Sequence, residues 1–235
     1  MDKEYIKRVE QNLGGVRERI RSAAGEREVT LLAATKTVPA EVINYAAENF
    51  GLTVIGENKV QELLEKYPLL NRGIEIHIIG HLQTNKVKQI VDKVDMIESL
   101  DREELAKELS KRSLAIGKRM PVLVEINIAK EAEKSGVYPE DAEGFVRRMA
   151  QYEGIEIRGL MTMAPAKITS EEYKAYFSQV KEIFDRLAKL DIPNAQMELL
   201  SMGMSESYAE GVECGANLVR VGSAIFGKRI YSEKM

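Results

Sequence analysis

Short apolar runs and amphipathic stretches alternate along the whole chain. Runs rich in β-branched and aliphatic residues occupy 29–34, 52–55, 74–79, 94–97, 121–128, 155–163, 197–200 and 217–221. Between them apolar residues fall at helical spacing, as in Val60-Leu63-Leu64, Leu105-Leu109, Phe145-Met149 and Tyr176-Val180-Ile183-Phe184-Leu187. A near-continuous apolar run is how a strand buried on both faces reads, and a helix after each such strand predicts a parallel sheet. Eight such units with no Pro/Gly/Ser linker predict one α/β domain over 1–235, a closed (β/α)8 TIM barrel. A doubly wound open sheet would show the same alternation; the count of eight decides for the barrel. An extra N-terminal helix is predicted over 3–24, with Ile6, Val9, Leu13, Val16 and Ile20 along one face and Gly25 ending it. It should pack on the barrel or cover its lower end.

Composition narrows the class. The chain has 235 residues, 44% hydrophobic and 30% charged, which describes a globular protein with a heavily charged surface. A formal net charge of −3 argues against a broad nucleic-acid footprint. The start, Met1-Asp2-Lys3-Glu4-Tyr5-Ile6-Lys7, has no signal-peptide core, and no apolar stretch approaches the roughly 18 residues of a membrane span. A cytoplasmic protein with no membrane contact is expected. Cys214 is the one cysteine, so an internal disulfide and a multi-cysteine metal site are excluded; beside Gly215 it reads as a small packing residue.

Candidate chemistry starts at Lys36, which ends the run Val29-Thr30-Leu31-Leu32-Ala33-Ala34-Thr35-Lys36 before Pro39 turns the chain away. Active sites of α/β barrels lie at the C-terminal ends of the strands, and an amine there attacks carbonyls once burial or a nearby cation lowers its usual pKa of about 10.4. A solvated lysine capping a strand is the plainer reading of the same segment. Two glycine-containing turns come late: Leu200-Ser201-Met202-Gly203-Met204-Ser205 after the seventh run, and Arg220-Val221-Gly222-Ser223 at the end of the eighth. The loops after the last two strands of such barrels commonly bind phosphate through free backbone N–H groups, with Ser201 and Ser223 as added donors. Arg220 stands two residues before Gly222, so period-two geometry puts it on the same inward face, one step deeper. Pairing with a carboxylate such as Glu125 would equally explain it. A lysine facing a phosphate cup across one mouth suggests pyridoxal 5′-phosphate, though a sugar-phosphate or Schiff-base aldolase needs a similar pair. His77 and His81 have i, i+4 spacing but no third ligand, and His77 reads as a hydrogen-bonded barrel residue.

Several stretches are recognisable: Ala34-Thr35-Lys36-Thr37, Gly56-Glu57-Asn58-Lys59-Val60-Gln61-Glu62, His77-Ile78-Ile79-Gly80-His81-Leu82-Gln83-Thr84-Asn85-Lys86, Lys134-Ser135-Gly136, Gly159-Leu160-Met161-Thr162-Met163, and the two late glycine turns. In this order they resemble the pyridoxal phosphate homeostasis protein family over nearly the whole chain. That family is similar to the barrel domain of alanine racemase, a fold-type III cofactor protein, without its second domain. The resemblance implies that Lys36 holds the cofactor as an internal aldimine and that Ser201, Gly222 and Ser223 contact the phosphate, with Met202 nearby. It also implies that Arg220 faces the pyridine nitrogen, that Asn58 and Met163 line the ring, and that Lys134 marks a second cofactor position. Two departures stand out: the ending Gly227-Lys228-Arg229-Ile230-Tyr231 lacks an expected aspartate, and His81 replaces a frequent proline.

The resemblance also frames the choice of function. Racemisation needs a strong electron sink and a proton donor or acceptor on each face of the reacting carbon. An arginine at the pyridine nitrogen weakens the sink, and Met163 stands where a racemase stacks a histidine. A carrier that holds the cofactor and supplies PLP-dependent apo-enzymes is therefore expected, with an amino-acid racemase as the alternative. A monomer is expected, and a dimer is the other possibility.

Overall fold

The structure is a computed structural model and describes residues 2–227. Its eight strands are β1 (Thr30–Ala34), β2 (Val54–Glu57), β3 (Glu75–Ile78), β4 (Met96–Leu100), β5 (Met120–Ile126), β6 (Ile155–Thr162), β7 (Ala195–Ser201) and β8 (Leu218–Val221). They are parallel and succeed one another round a closed barrel, with β1 hydrogen-bonded to β8 in the register Leu32 to Arg220 and Ala33 to Val221. Closure rules out the open doubly wound sheet.

Nine helices are described, α1 (Lys3–Ala24), α2 (Ala40–Phe50), α3 (Val60–Lys66), α4 (Val87–Ile90), α5 (Glu103–Leu114), α6 (Ala142–Met149), α7 (Ser170–Ala188), α8 (Tyr208–Glu213) and α9 (Ser223–Phe226). Local chemistry sets several of their ends. Thr169 and Glu172 form a capping box at the start of α7, each side chain bonded to the other's backbone N–H. Gly51 closes α2 in the left-handed conformation, which costs glycine little.

Alternation along the strands separates two cores. The outward residues pack with the helices in one large cluster, while Leu32, Val54, Ile79 and Leu218 on one side and Met96, Leu123 and Met161 on the other fill the barrel interior. Helix α1 lies on the outer wall against α2, α8 and α9, burying Val9, Leu13, Val16 and Ile20. Asn12 Nδ2 donates to Ile225 O at 2.9 Å, and Arg17 donates to the carbonyls of Phe50 and Gly51. It spans the barrel flank from mouth to base and does not plug an end.

Strand edges differ from the sequence pattern in one place that matters. The apolar run ends at 200, but β7 continues through Ser201. Ser201 is thus an inward strand residue, below the turn to which the pattern assigns it. Of the unusual ending, residues 228–231 lie outside the described residues.

Candidate active site

A cavity of about 870 Å³ opens at the C-terminal ends of β1 and β8. Lys36, Arg220, Gly222 and Ser223 line it together. Lys36 reaches it because Leu32 and Ala34 face the barrel interior, and the next inward position lies just past the strand. Gly222 packs closely on β1: a Cβ built there would stand 3.0 Å from Ala34 O and 3.3 Å from Ala34 Cβ, so a side chain would need the β1 end to give by a few tenths of an ångström. The Ser205 hydroxyl accepts the N–H groups of Gly222 (3.1 Å) and Ala224 (3.2 Å), tying the loop after β7 to the end of β8. Tyr5 and Arg8 of α1 and Tyr173 of α7 also reach this cavity. Sequence reasoning misses these three, since α1 and α7 show only apolar stripes; Ser205 is visible as the last residue of the turn after β7.

The floor is a buried polar chain. Arg220 is 3% exposed and donates to Ser201 Oγ (2.5 Å) and to Thr162 O (2.8 Å), with Glu98 Oε2 at 3.8 Å. Ser201 donates in turn to Glu98 Oε2 at 2.6 Å. The other Glu98 oxygen meets His77 Nδ1 at 2.7 Å, and His77 Nε2 meets Glu75 Oε1 at 2.9 Å near the barrel base. Burial pulls the Arg220 guanidinium below its usual range, while Glu98 and Glu125 oppose that pull. Burial would also lower His77, but its hydrogen bonds to Glu75 and Glu98, with their charges, raise it to about 9. Glu125, inward on β5 two residues after Leu123, is raised to about 7 by burial and by Asp101, against the pull of Arg220. The arginine's near carboxylate is therefore Glu98, not the Glu125 suggested from sequence.

The remaining predicted residues spread around this centre. Ser201 is fully buried, its hydroxyl committed to Arg220 and Glu98, so it meets the cavity only through the arginine. Its replacement by Ala should leave two buried charged groups short of a partner; destabilisation of about 1–3 kcal/mol is expected in chemical denaturation. Met202, next along the chain, turns its side chain outward into the core shared with the helices. Met163 is half-buried against the interior cluster of Met96, Leu123 and Met161. Asn58 lies just beyond β2, half-buried, its backbone packed so closely on Gly80 that a Cβ there would fall 2.6 Å from Asn58 O. Lys134 is in the loop after β5, exposed and ion-paired with Glu131 at 2.6 Å. His81 lies at the mouth with Nδ1 3.0 Å from Ser135 Oγ and 3.3 Å from Asp101 Oδ2. Cys214 is half-buried, with Sγ 3.6 Å from Lys174 O.

A family model described as alanine racemase, N-terminal domain, matches residues 7–230, which sets the class. The pyridoxal phosphate homeostasis protein of Aquifex aeolicus is 41% identical over 227 residues, covering 94% of this chain and 98% of its own. That of Pasteurella multocida is 38% identical over 234 residues, covering 96% and 99%. Among solved structures, PipY of Synechococcus elongatus PCC7942 with PLP bound is similar at a TM-score of 0.82 and 30% identity, over 93% of this chain and 100% of that one. The chain belongs to the pyridoxal phosphate homeostasis protein family.

Proposed function

We propose that this chain binds pyridoxal 5′-phosphate at the barrel mouth, anchors it on Lys36, and acts in cofactor homeostasis as a cytoplasmic carrier that supplies apo-enzymes. One observation carries this: an amine at the end of β1 and a guanidinium at the end of β8 share a single cavity with Gly222 and Ser223. The donor set fits the cofactor, and a cavity of about 870 Å³ takes a single-ring phosphate ester with room left over. The relatives' names and the PLP held by PipY support the same assignment. When bound, the cofactor would supply an aldehyde able to condense with an amine and a ring that withdraws electrons from the attached carbon.

The chain's own residues divide the remaining work. Lys36 provides the amine. Gly222 and Ser223 sit where a phosphate could approach the backbone, with Asn58 and Met163 assigned to the ring side. Arg220, fixed by Ser201, Thr162 and Glu98, would present positive charge to the pyridine nitrogen of a bound cofactor and so disfavour a proton there. A ring denied that proton is a weak electron sink, and Met163 offers no base. Together these favour holding the cofactor over turning over an amino acid. Among the described residues no helix is long and apolar enough to cross a membrane.

A racemase reading has one observation in its favour. Glu125 is an inward carboxyl raised to about 7, the range suited to proton transfer near neutral pH. The two readings separate when the loaded protein is incubated with L-alanine in heavy water while reactivation of an apo-transaminase is measured in parallel. The carrier reading expects reactivation beyond that given by free cofactor and no catalytic Cα deuteration. Rapid deuteration abolished by Glu125→Gln, with no such reactivation, would establish the enzyme instead.

A further inference from the structure

The peptide groups on both sides of Lys36 are gripped by side chains of a different unit of the barrel. The Thr35 carbonyl, on the N-terminal side of Lys36, accepts from Lys66 Nζ at 2.7 Å and from the Val38 N–H at 2.9 Å. The Thr37 N–H, on the C-terminal side, donates to Glu62 Oε1. Glu62 and Lys66 are one turn apart on α3 and bond each other at 2.6 Å. Lys66 Nζ also bonds Glu57 Oε1 at 2.8 Å, and that oxygen accepts from Thr35 Oγ1 at 2.7 Å. Glu57 is fully buried at the end of β2, and Lys66 is 9% exposed.

The backbone needs such a grip. With Thr35 O bonded to Val38 N–H, residues 35–38 form a β-turn, and Thr37 at its third position has φ 66°. That position normally takes glycine or asparagine, because a β-branched side chain is strained there. A strained residue next to the reactive amine persists only where its surroundings over-determine it. The surroundings here are Glu62, which holds the Thr37 amide, and Lys66, which holds the Thr35 carbonyl. Burying two charged groups, Glu57 and Lys66, beside one turn is costly unless each is paired, and Glu57 Oε2 has no hydrogen-bond partner. Burial pushes Glu57 up, while Lys66 and then Thr35 pull it back.

We propose that Glu62 and Lys66, braced by Glu57, are positioning residues that hold the Lys36 turn in the strained geometry from which its amine attacks an aldehyde at the mouth. The proposal rests on Lys36 being the anchor. They touch no ligand and act only through the backbone on either side of Lys36. The attachment they favour is a condensation in which the nitrogen gives up two protons and the aldehyde oxygen leaves as water, so no oxidant or reductant is required.

Glu62 is the residue to change, because its side chain is 22% exposed. Three measurements on Glu62→Ala and Glu62→Gln separate the possibilities: amide hydrogen exchange at Thr37 without cofactor, the rate of borohydride-trappable attachment of pyridoxal 5′-phosphate, and the affinity for pyridoxine 5′-phosphate, which has no aldehyde. In Glu62→Ala the Thr37 amide should lose at least tenfold in protection and attachment should slow about tenfold or more, while pyridoxine phosphate binds within about twofold of the parent. Glu62→Gln, whose side-chain carbonyl still accepts from Thr37, should recover most of the attachment rate. Unchanged exchange and unchanged attachment in Glu62→Ala would overturn the proposal, and so would an equal loss of attachment and pyridoxine phosphate binding. Should Glu62→Ala not fold, a Glu62→Gln protein whose Thr37 amide keeps the parent's protection but which attaches cofactor tenfold or more slowly would also overturn it. If the parent traps cofactor on a lysine other than Lys36, the anchor assignment fails, and Thr37 exchange still reports on the grip.

Discussion

Lys36→Ala should abolish covalent trapping of the cofactor altogether. Borohydride reduction of the loaded parent, followed by peptide mass analysis, should place one cofactor on the peptide containing Lys36. The variant should yield none. Noncovalent retention should also weaken by tenfold or more, at least about 1.4 kcal/mol, because phosphate and ring contacts would then have to hold the ligand alone. Lys36 comes after β1 without belonging to it, so its replacement leaves the strand pairing that closes the barrel in place. Trapping that persists in Lys36→Ala would mean another lysine is the anchor. Lys134 would be the first suspect, although its amine is exposed, engaged by Glu131 and not among the groups lining the cavity.

Positions along one strand are legible from sequence, and contacts between distant strands are not. Lys36 follows from its place at the end of the β1 run and Arg220 from period-two alternation back from Gly222 on β8, and the structure brings all three to one cavity. Ser201 shows the limit. One more residue of strand moves it from the phosphate turn into the floor, where its partner Glu98 is 103 residues away. No local pattern marks that pair, since Glu98 directly follows the apolar run 94–97 and reads as a strand-end carboxylate, whereas β4 continues past it to Leu100. Met202 turns outward for the same reason, being one step out of phase with Ser201. The grip of α3 on the Lys36 turn is hidden differently. Glu57 and Glu62 stand in a family motif, but the strain that makes the grip necessary is a backbone angle at Thr37.

The buried floor should also make the protein without cofactor lose stability as pH rises, against the common pattern of loss in acid. His77 faces Glu75 and Glu98, and its folded value of about 9 lies above the 6.5 of an unfolded histidine. A raised group of this kind stabilises the fold fully below 6.5 and loses that contribution as pH climbs through 9. The gap corresponds to about 3 kcal/mol. Glu125 acts in the same direction over a lower window: its carboxyl, ordinarily at 4.5, is raised to about 7, so its contribution is lost between those values as it is forced to ionise beside Asp101. From about pH 6 to 9.5 the melting temperature should therefore fall by roughly 5–12 °C, since 1 kcal/mol moves a chain of this size by about 2–4 °C. His77→Gln should flatten the upper limb and Glu125→Gln the lower one. A melting temperature that stays level or rises across that range would mean His77 is neutral in the fold, leaving Arg220 as the buried cation beside Glu98.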